Sequence, residues 1–184
     1  GDYDLAREQY LAAFDDSTED AIKAAALWGT GRTELADGRY PEAINTLNNL
    51  INTYPDSTYA ARAPFLIGRA YDGLEQHQQA ADAYNTYSTR ISVLDAYVQD
   101  YRGDALYEAG DYTGAQNAYN AALSAARLDD GLDLQIKIAE SRAAFGDYAG
   151  ALTLYDEIFA ATTNDYIKAQ MDYYAGNAHV KLGQ

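Results

Sequence analysis

Small and apolar residues return at matching positions along this chain, in a pattern that predicts helices throughout. A glycine followed by tyrosine two residues later and alanine five residues later begins a copy at Gly1, Gly38, Gly110 and Gly146, with a degenerate copy at Glu75 and a further start at Gly183. Successive copies begin about 36 residues apart. A constant period in this range is typical of stacked repeat units.

Alignment on this glycine gives three further columns. Alanine stands five residues after it (Ala6, Ala43, Ala80, Ala115, Ala151), a large residue nine after it (Tyr10, Leu47, Tyr84, Tyr119, Tyr155), and a small residue seven before it (Gly31, Gly68, Gly103, Ala139, Gly176). A small residue recurring in mid-helix indicates that another helix crosses there closely, and the downstream alanine is its expected partner. The recurrent glycine supplies the positive φ of a tight turn between two antiparallel helices.

The pattern predicts helices over 2–14, 18–37, 40–53, 58–74, 77–90, 93–109, 112–127, 131–145, 148–161 and 165–182. Candidate N-caps precede several of them: Ser17, Ser92 and the pairs Asp56-Ser57, Asp129-Asp130 and Thr163-Asn164. The predicted organisation is one array over 1–184, with a half-unit 1–16, repeats 17–55, 56–91, 92–128 and 129–163, and a half-unit 164–184. We expect it to be part of a longer chain.

These columns, with Tyr54-Pro55 closing one unit, resemble tetratricopeptide repeats over essentially the whole chain. The units are slightly longer than the family's roughly 34 residues, and the tryptophan typical of the first helix does not recur in register. The resemblance implies an all-α fold, a right-handed α–α superhelix of about five helical hairpins. It also implies a groove that binds protein or peptide partners.

A second resemblance covers residues 52–63 and 95–106, which are similar to extracytoplasmic bacterial repeat proteins. They resemble in particular the superhelical region of soluble lytic murein transglycosylases. This implies a location in the bacterial envelope and peptidoglycan as a further candidate partner.

Composition excludes some functions. Thirteen basic and 28 acidic residues give a net charge of −15, so the chain lacks the basic surface that nucleic acid requires and would be repelled by anionic membranes. It has no cysteine, and no apolar run is long enough for a membrane span.

No catalytic or cofactor site is predicted. His77 and His179 are far apart in the sequence and lack the converging ligands of a metal site. Asp129-Asp130 and Asp133 lack the alternation of a calcium loop. Glu140-Ser141 matches the glutamate–serine pair of lytic transglycosylases without its surrounding motif, so we interpret Glu140 as solvated or groove-facing.

Helical register instead predicts a binding groove on the first helix of each hairpin. Its aromatic and charged members are Trp28, Arg32, Arg62, Phe65, Arg69, Tyr97, Asp100, Asp104, Tyr107 and Tyr173. Aromatic and arginine side chains are frequent interface anchors. The same residues could pack between repeats, and the arginines could pair with nearby carboxylates. The lysine and asparagine residues with which some repeats of this family bind chaperone tails are missing from these columns.

Three functions therefore remain open. The first is a non-catalytic scaffold that binds a partner protein in its groove. The second is an accessory region of a cell-wall enzyme, which positions peptidoglycan or the enzyme's catalytic domain. The third is a spacer whose groove binds nothing.

Overall fold

The computed structural model describes residues 2–125 and 131–184, and these residues form ten α-helices and no β-strand. In chain order they are α1 (Tyr3–Asp16), α2 (Asp20–Ala36), α3 (Tyr40–Thr53), α4 (Thr58–Gly73), α5 (His77–Arg90), α6 (Asp95–Glu108), α7 (Tyr112–Ser124), α8 (Leu132–Phe145), α9 (Tyr148–Ala161) and α10 (Asp165–Leu182). The all-α prediction is confirmed, and the predicted helices are present with ends shifted by a few residues.

The chain divides into two compact units, residues 1–94 with α1 to α5 and residues 95–184 with α6 to α10. Within each unit, every helix packs against the helix that follows it, and in the first unit α2 also packs against α4. Packing between sequence neighbours is the arrangement of a repeat protein. The first helices of the hairpins are α2 and α4 in one unit and α6 and α8 in the other, and α10 has the same register.

The turns between paired helices confirm the predicted role of glycine. Gly38, Gly110 and Gly146 have φ of +77°, +81° and +97°. In each turn, the residue after the glycine donates its backbone N–H to the carbonyl five residues earlier, at 2.9 Å, which closes the preceding helix. Glu75 in the degenerate copy keeps this left-handed conformation, with φ +56°. The turn is therefore preserved even where its glycine is absent.

Side-chain caps fix several helix starts. Ser57 and Asn164, the second members of two predicted pairs, accept hydrogen bonds from the N–H groups of Tyr59 and Tyr166. The prediction for Ser17 is wrong, because its hydroxyl accepts from Glu19 N–H, and α2 begins after Glu19 without a side-chain cap.

The turn aspartates are caps that the sequence analysis missed. Asp111 and Asp147 each accept from the N–H three residues later, at 2.9 Å. After Gly110 and Gly146, the aspartate therefore caps the second helix. The Asp129-Asp130 candidates lie outside the described residues.

The small column lies against the large column and not primarily against the alanines, which corrects the predicted pairing. A Cβ added to Gly31, Gly68 or Gly103 would come within 3.0 Å of the side chains of Leu47, Tyr84 and Tyr119, respectively. The large side chains fill the space above each glycine, because the second helix of the hairpin packs directly against the first at this point. The column alanines, Ala43, Ala80, Ala115 and Ala151, are fully buried.

Candidate functional site

In the first unit, Trp28 and Tyr59 join the exposed sides of α2 and α4. Their ring centroids are 5.9 Å apart, and both side chains are half-buried against the core of this unit. Arg32 lies one turn beyond Trp28 on α2 and is exposed. Trp28 therefore packs against the core with one part of its ring. The rest of the ring is accessible to solvent, on the same helix as the exposed Arg32.

Phe65 on α4 is placed differently, because it packs inside its hairpin. Its ring lies 5.7 Å from that of Tyr84 and 5.9 Å from that of Tyr87. Arg62 and Arg69 flank it in sequence, share one face of α4 at a spacing of two helical turns, and are exposed. The structure thus leaves all three predicted arginines accessible to solvent.

In the second unit, Asp100 and Asp104 on α6 hold Lys137 on α8. Lys137 Nζ lies 2.8 Å from Asp100 Oδ1 and 2.7 Å from Asp104 Oδ1. Burial by itself would lower the pKa of Lys137, but the two carboxylates together raise it. Burial raises the pKa of Asp100, and the pairing with Lys137 offsets only part of this effect. These two predicted site residues therefore already have a cationic partner.

Tyr119 extends this network into the hairpin. Its hydroxyl donates to Asp104 Oδ1 at 2.9 Å, and Lys137 Nζ lies 5.5 Å from the centre of its ring. Burial raises the pKa of the Tyr119 hydroxyl, and the charge of Asp104 raises it further. Tyr119 is thus neutral at physiological pH and serves as a hydrogen-bond donor.

Beside this network, a cavity of about 300 Å³ is open on the side of α8 that carries Glu140. Tyr107 of α6, Tyr155 of α9 and Tyr174 of α10 line it together with Glu140. The Tyr174 hydroxyl is hydrogen-bonded to the Glu140 carboxylate and accepts from Gln170 Nε2 at 3.2 Å. With Tyr148, four tyrosine side chains thus line the cavity around one carboxylate.

Tyr107, Tyr155 and Tyr174 are held in their neutral form. Burial and then the charge of Glu140 raise the pKa of Tyr107, and the same two causes raise the pKa of Tyr155 to about 12. For Tyr174, the hydrogen bond to Glu140 is the main cause of a raised pKa. The cavity therefore offers aromatic surface and hydroxyl groups around a single anionic group.

A second cavity of about 340 Å³ shares Tyr107 and Glu140 with the first. Glu108 and Lys137 also line it. We call the two adjoining cavities, with their shared pair Tyr107 and Glu140, the tyrosine trough. It lies entirely within the second unit.

The remaining predicted residues lie around the same helices. Tyr97 on α6 is half-buried. Tyr173 on α10 is 66% exposed, and its ring lies 5.8 Å from that of Tyr174. Tyr107 contacts Tyr112 edge-on, with 5.3 Å between centroids.

Two contributors were missed by the sequence reasoning. Lys137 and Tyr174 stand nine residues before Gly146 and Gly183, so one further register column would have found both.

No metal or cofactor site is apparent in the part of the chain that the structure describes. There, no three side chains of His, Cys, Asp or Glu type converge as metal ligands, and the Asp129-Asp130 segment falls outside it. None of the described helices is both long enough and apolar enough to cross a bilayer.

Comparison with known proteins identifies the family of this chain. The family model described as tetratricopeptide repeat matches residues 1–58 and 102–166, more than half of the chain. No curated protein matches the sequence.

Solved structures show the same fold. A tetratricopeptide repeat protein from Parabacteroides merdae ATCC 43184 is 16% identical, with a TM-score of 0.73 over 100% of this chain and 68% of that one. MamA protein is 20% identical, with a TM-score of 0.70 over 87% and 82% of the two chains. A thermophilic TPR protein in Thermus thermophilus is 19% identical, with a TM-score of 0.53 over 94% and 90%. The repeat columns, the paired helices and the family match together place this chain in the tetratricopeptide repeat family.

Proposed function

We propose that this chain is a non-catalytic scaffold that holds an extended segment of a partner protein against the first helices of its hairpins. Tetratricopeptide repeats are typically protein-interaction scaffolds. The observation that carries the proposal is the chemistry of one surface. In each unit the first helices leave aromatic and charged side chains accessible, while alanine, leucine and tyrosine fill the space between helices.

The two units offer opposite charge to such a segment. In the first unit Arg32 on α2 and Arg62 and Arg69 on α4 are exposed. In the second unit the carboxylates of Asp104, Glu108 and Glu140 line the tyrosine trough. Acidic residues of a partner would complement the surface of the first unit, and basic residues that of the second. Exposed aromatic and arginine groups are frequent anchors of binding energy.

Charge reversal in the first unit tests the proposal. Peptides selected from a random displayed library on the intact chain should bind more weakly to the Arg32→Glu/Arg69→Glu variant. The matched control is Arg90→Glu, on the second helix α5, which should leave affinity and helicity unchanged. A library that yields no binding peptide, or peptides insensitive to Arg32 and Arg69, would contradict this use of the first helices.

We further propose a location in the bacterial cell envelope, because residues 52–63 and 95–106 resemble extracytoplasmic repeat proteins. Fractionation of the native cell with an antibody to this chain would test the location. Recovery from the cytoplasm alone would contradict it.

The alternative is an accessory region of a lytic transglycosylase-type enzyme. The aromatic lining of the trough favours it, since tyrosine rings with nearby polar groups also suit a glycan strand. A muropeptide that raises the melting temperature in a concentration-dependent manner would support this function. The complete parent sequence would decide whether a catalytic domain accompanies the repeats.

A further inference from the structure

The cavity of the tyrosine trough that contains Tyr155 and Tyr174 combines an aromatic wall with one carboxylate. Tyr155 is fully buried beneath it, and its ring lies 5.6 Å from that of Tyr174. Tyr107 approaches from α6. A volume of about 300 Å³ exceeds what one hydrated ion needs and suits a long side chain. The faces of tyrosine rings attract cations as well as apolar groups.

Glu140 retains hydrogen-bonding capacity toward this cavity. A carboxylate offers about four lone-pair sites, and the contacts of Glu140 include the hydrogen bond from Tyr174. In this unit Lys137 forms ion pairs with Asp100 and Asp104, and Arg142 forms one with Asp147. The ammonium group of Lys137 therefore contacts carboxylates of α6. None of these ion pairs includes Glu140.

The charged residues around the tyrosine trough favour the binding of a cation. Asp104, Glu108 and Glu140 line the trough, against Lys137 and Lys181. Lys137 is balanced by its own two carboxylates. Lys181 is exposed at the rim, where a flexible side chain keeps its ammonium group hydrated. The chain as a whole carries a net charge of −15, which attracts basic segments over longer distances.

We propose that this cavity binds a basic side chain, arginine or lysine, from an extended segment of the partner protein. The alkyl stem packs against Tyr107, Tyr155 and Tyr174, and the cationic group donates hydrogen bonds to Glu140. This inference rests on the proposed scaffold function and assigns a specificity to its second unit. A glycan strand carrying carboxylate-bearing peptides would meet repulsion from the same charges.

The test uses the intact chain, isotopically labelled, and short glycine–serine peptides with one central arginine, lysine, citrulline or glutamate. Citrulline keeps the shape of arginine without its charge. Titration should shift the resonances of Tyr107 and Glu140 with the arginine or lysine peptide. Affinity for the citrulline peptide should be lower by about tenfold, as expected for the loss of one charged hydrogen-bonded contact.

Matched variants locate the effect. Glu140→Gln keeps an acceptor for Tyr174 and should lower the affinity for the arginine peptide by about tenfold. Glu157→Gln on α9 removes an exposed carboxylate outside the trough and should leave this affinity unchanged. Lys181→Met should strengthen binding by about twofold, because a like charge leaves the rim. The melting temperature of each variant verifies that the unit is folded.

Each other outcome overturns the inference. Equal affinity for arginine and citrulline peptides, or indifference to Glu140→Gln, removes the basic-side-chain site but leaves the scaffold function standing on the first unit. A muropeptide that shifts the same resonances while the basic peptides do not would assign the cavity to a glycan. If the displayed library also yields no peptide for either unit, the scaffold function fails with it.

Discussion

The ring of Tyr119 lies directly on Gly103, so closely that any Cβ at this position would come within 3.0 Å of the ring. Tyr84 lies on Gly68 in the same way in the other unit. These two hairpins are therefore closed by a large side chain of the second helix that occupies the space left by a missing side chain on the first. Both tyrosines are almost completely buried, and their hydroxyls hydrogen-bond to Asp104 and Asp72 on the paired helix.

Replacing Gly103 with leucine should lower the free energy of unfolding by about 1–3 kcal/mol, because the added side chain overpacks the crossing. Gly176 holds the same column position on α10 and provides the control, since a Cβ there meets nothing within 4 Å. Gly176→Ala should raise stability by about 0.5–1 kcal/mol through helix propensity alone. Urea unfolding followed by circular dichroism measures both, and a neutral Gly103→Leu would contradict the close approach.

Glu75 occupies the left-handed turn position that glycine fills in the other copies, with φ +56°. Glu75→Gly should therefore stabilise the first unit by about 0.5–1 kcal/mol, because it relieves a strained backbone. Gly110→Ala is the reverse change at φ +81°, where a Cβ meets nothing within 4 Å, and should cost about 1–2 kcal/mol. Thermal unfolding of both variants checks the pair, and destabilisation by Glu75→Gly would argue against strain at this turn.

Lys137 balances the half-buried Asp100 and the more exposed Asp104. Lys137→Met should cost roughly 1–2 kcal/mol, since it leaves Asp100 desolvated without a cation, while solvent screens part of the effect. Asp100→Asn in the same chain should recover much of this loss, and a double-mutant cycle gives the coupling energy. Lys181→Met is the exposed control and should leave stability unchanged. Additive effects of the two substitutions would show that the pair contributes nothing.

Tyr155 should make the protein sensitive to alkaline pH. Its pKa is raised from 10.0 to about 12 in the folded state, so the folded protein holds this proton more tightly than the unfolded chain does. The resulting stability is complete below pH 10 and is lost as the pH rises through about 12.

Tyr155→Phe should therefore reduce the alkaline loss of unfolding free energy by roughly 1–3 kcal/mol. Denaturation curves at a series of pH values, with tyrosinate absorbance as a second signal, measure it. Tyr166→Phe, at a side chain that is 77% exposed, is the control and should leave the profile as it is. An identical alkaline slope in Tyr155→Phe and the unmodified chain would refute the prediction.

The helices and turns could be predicted because they depend on local chemistry. The recurrent glycine fixes φ > 0, which few other residues tolerate, and the helix ends followed within a few residues. The pairing of Gly31 with Leu47 instead of Ala43 could not be predicted in the same way. It depends on the axial offset of two helices, and that offset is absent from a one-dimensional register.

The site was predicted in part. Register placed Tyr107, Asp100 and Asp104 on α6, and the structure finds them beside Lys137 and Glu140 on α8. The sequence could not predict which carboxylates pair with Lys137. These residues are more than thirty positions apart and come into contact only when the repeats stack. Phe65 has the same register as Trp28, yet it packs against Tyr84 and Tyr87.

By itself, the sequence determined the repeat: its period, its paired helices, its left-handed turns and its buried columns, because each follows from backbone conformation and side-chain volume within one unit. Only the tertiary structure decided which charges neutralise each other and which remain available. Lys137 pairs with Asp100 and Asp104, while Glu140 stays beside an open cavity. Electrostatic pairing depends on distances of a few ångströms between different repeats, and those distances exist only once the helices are packed.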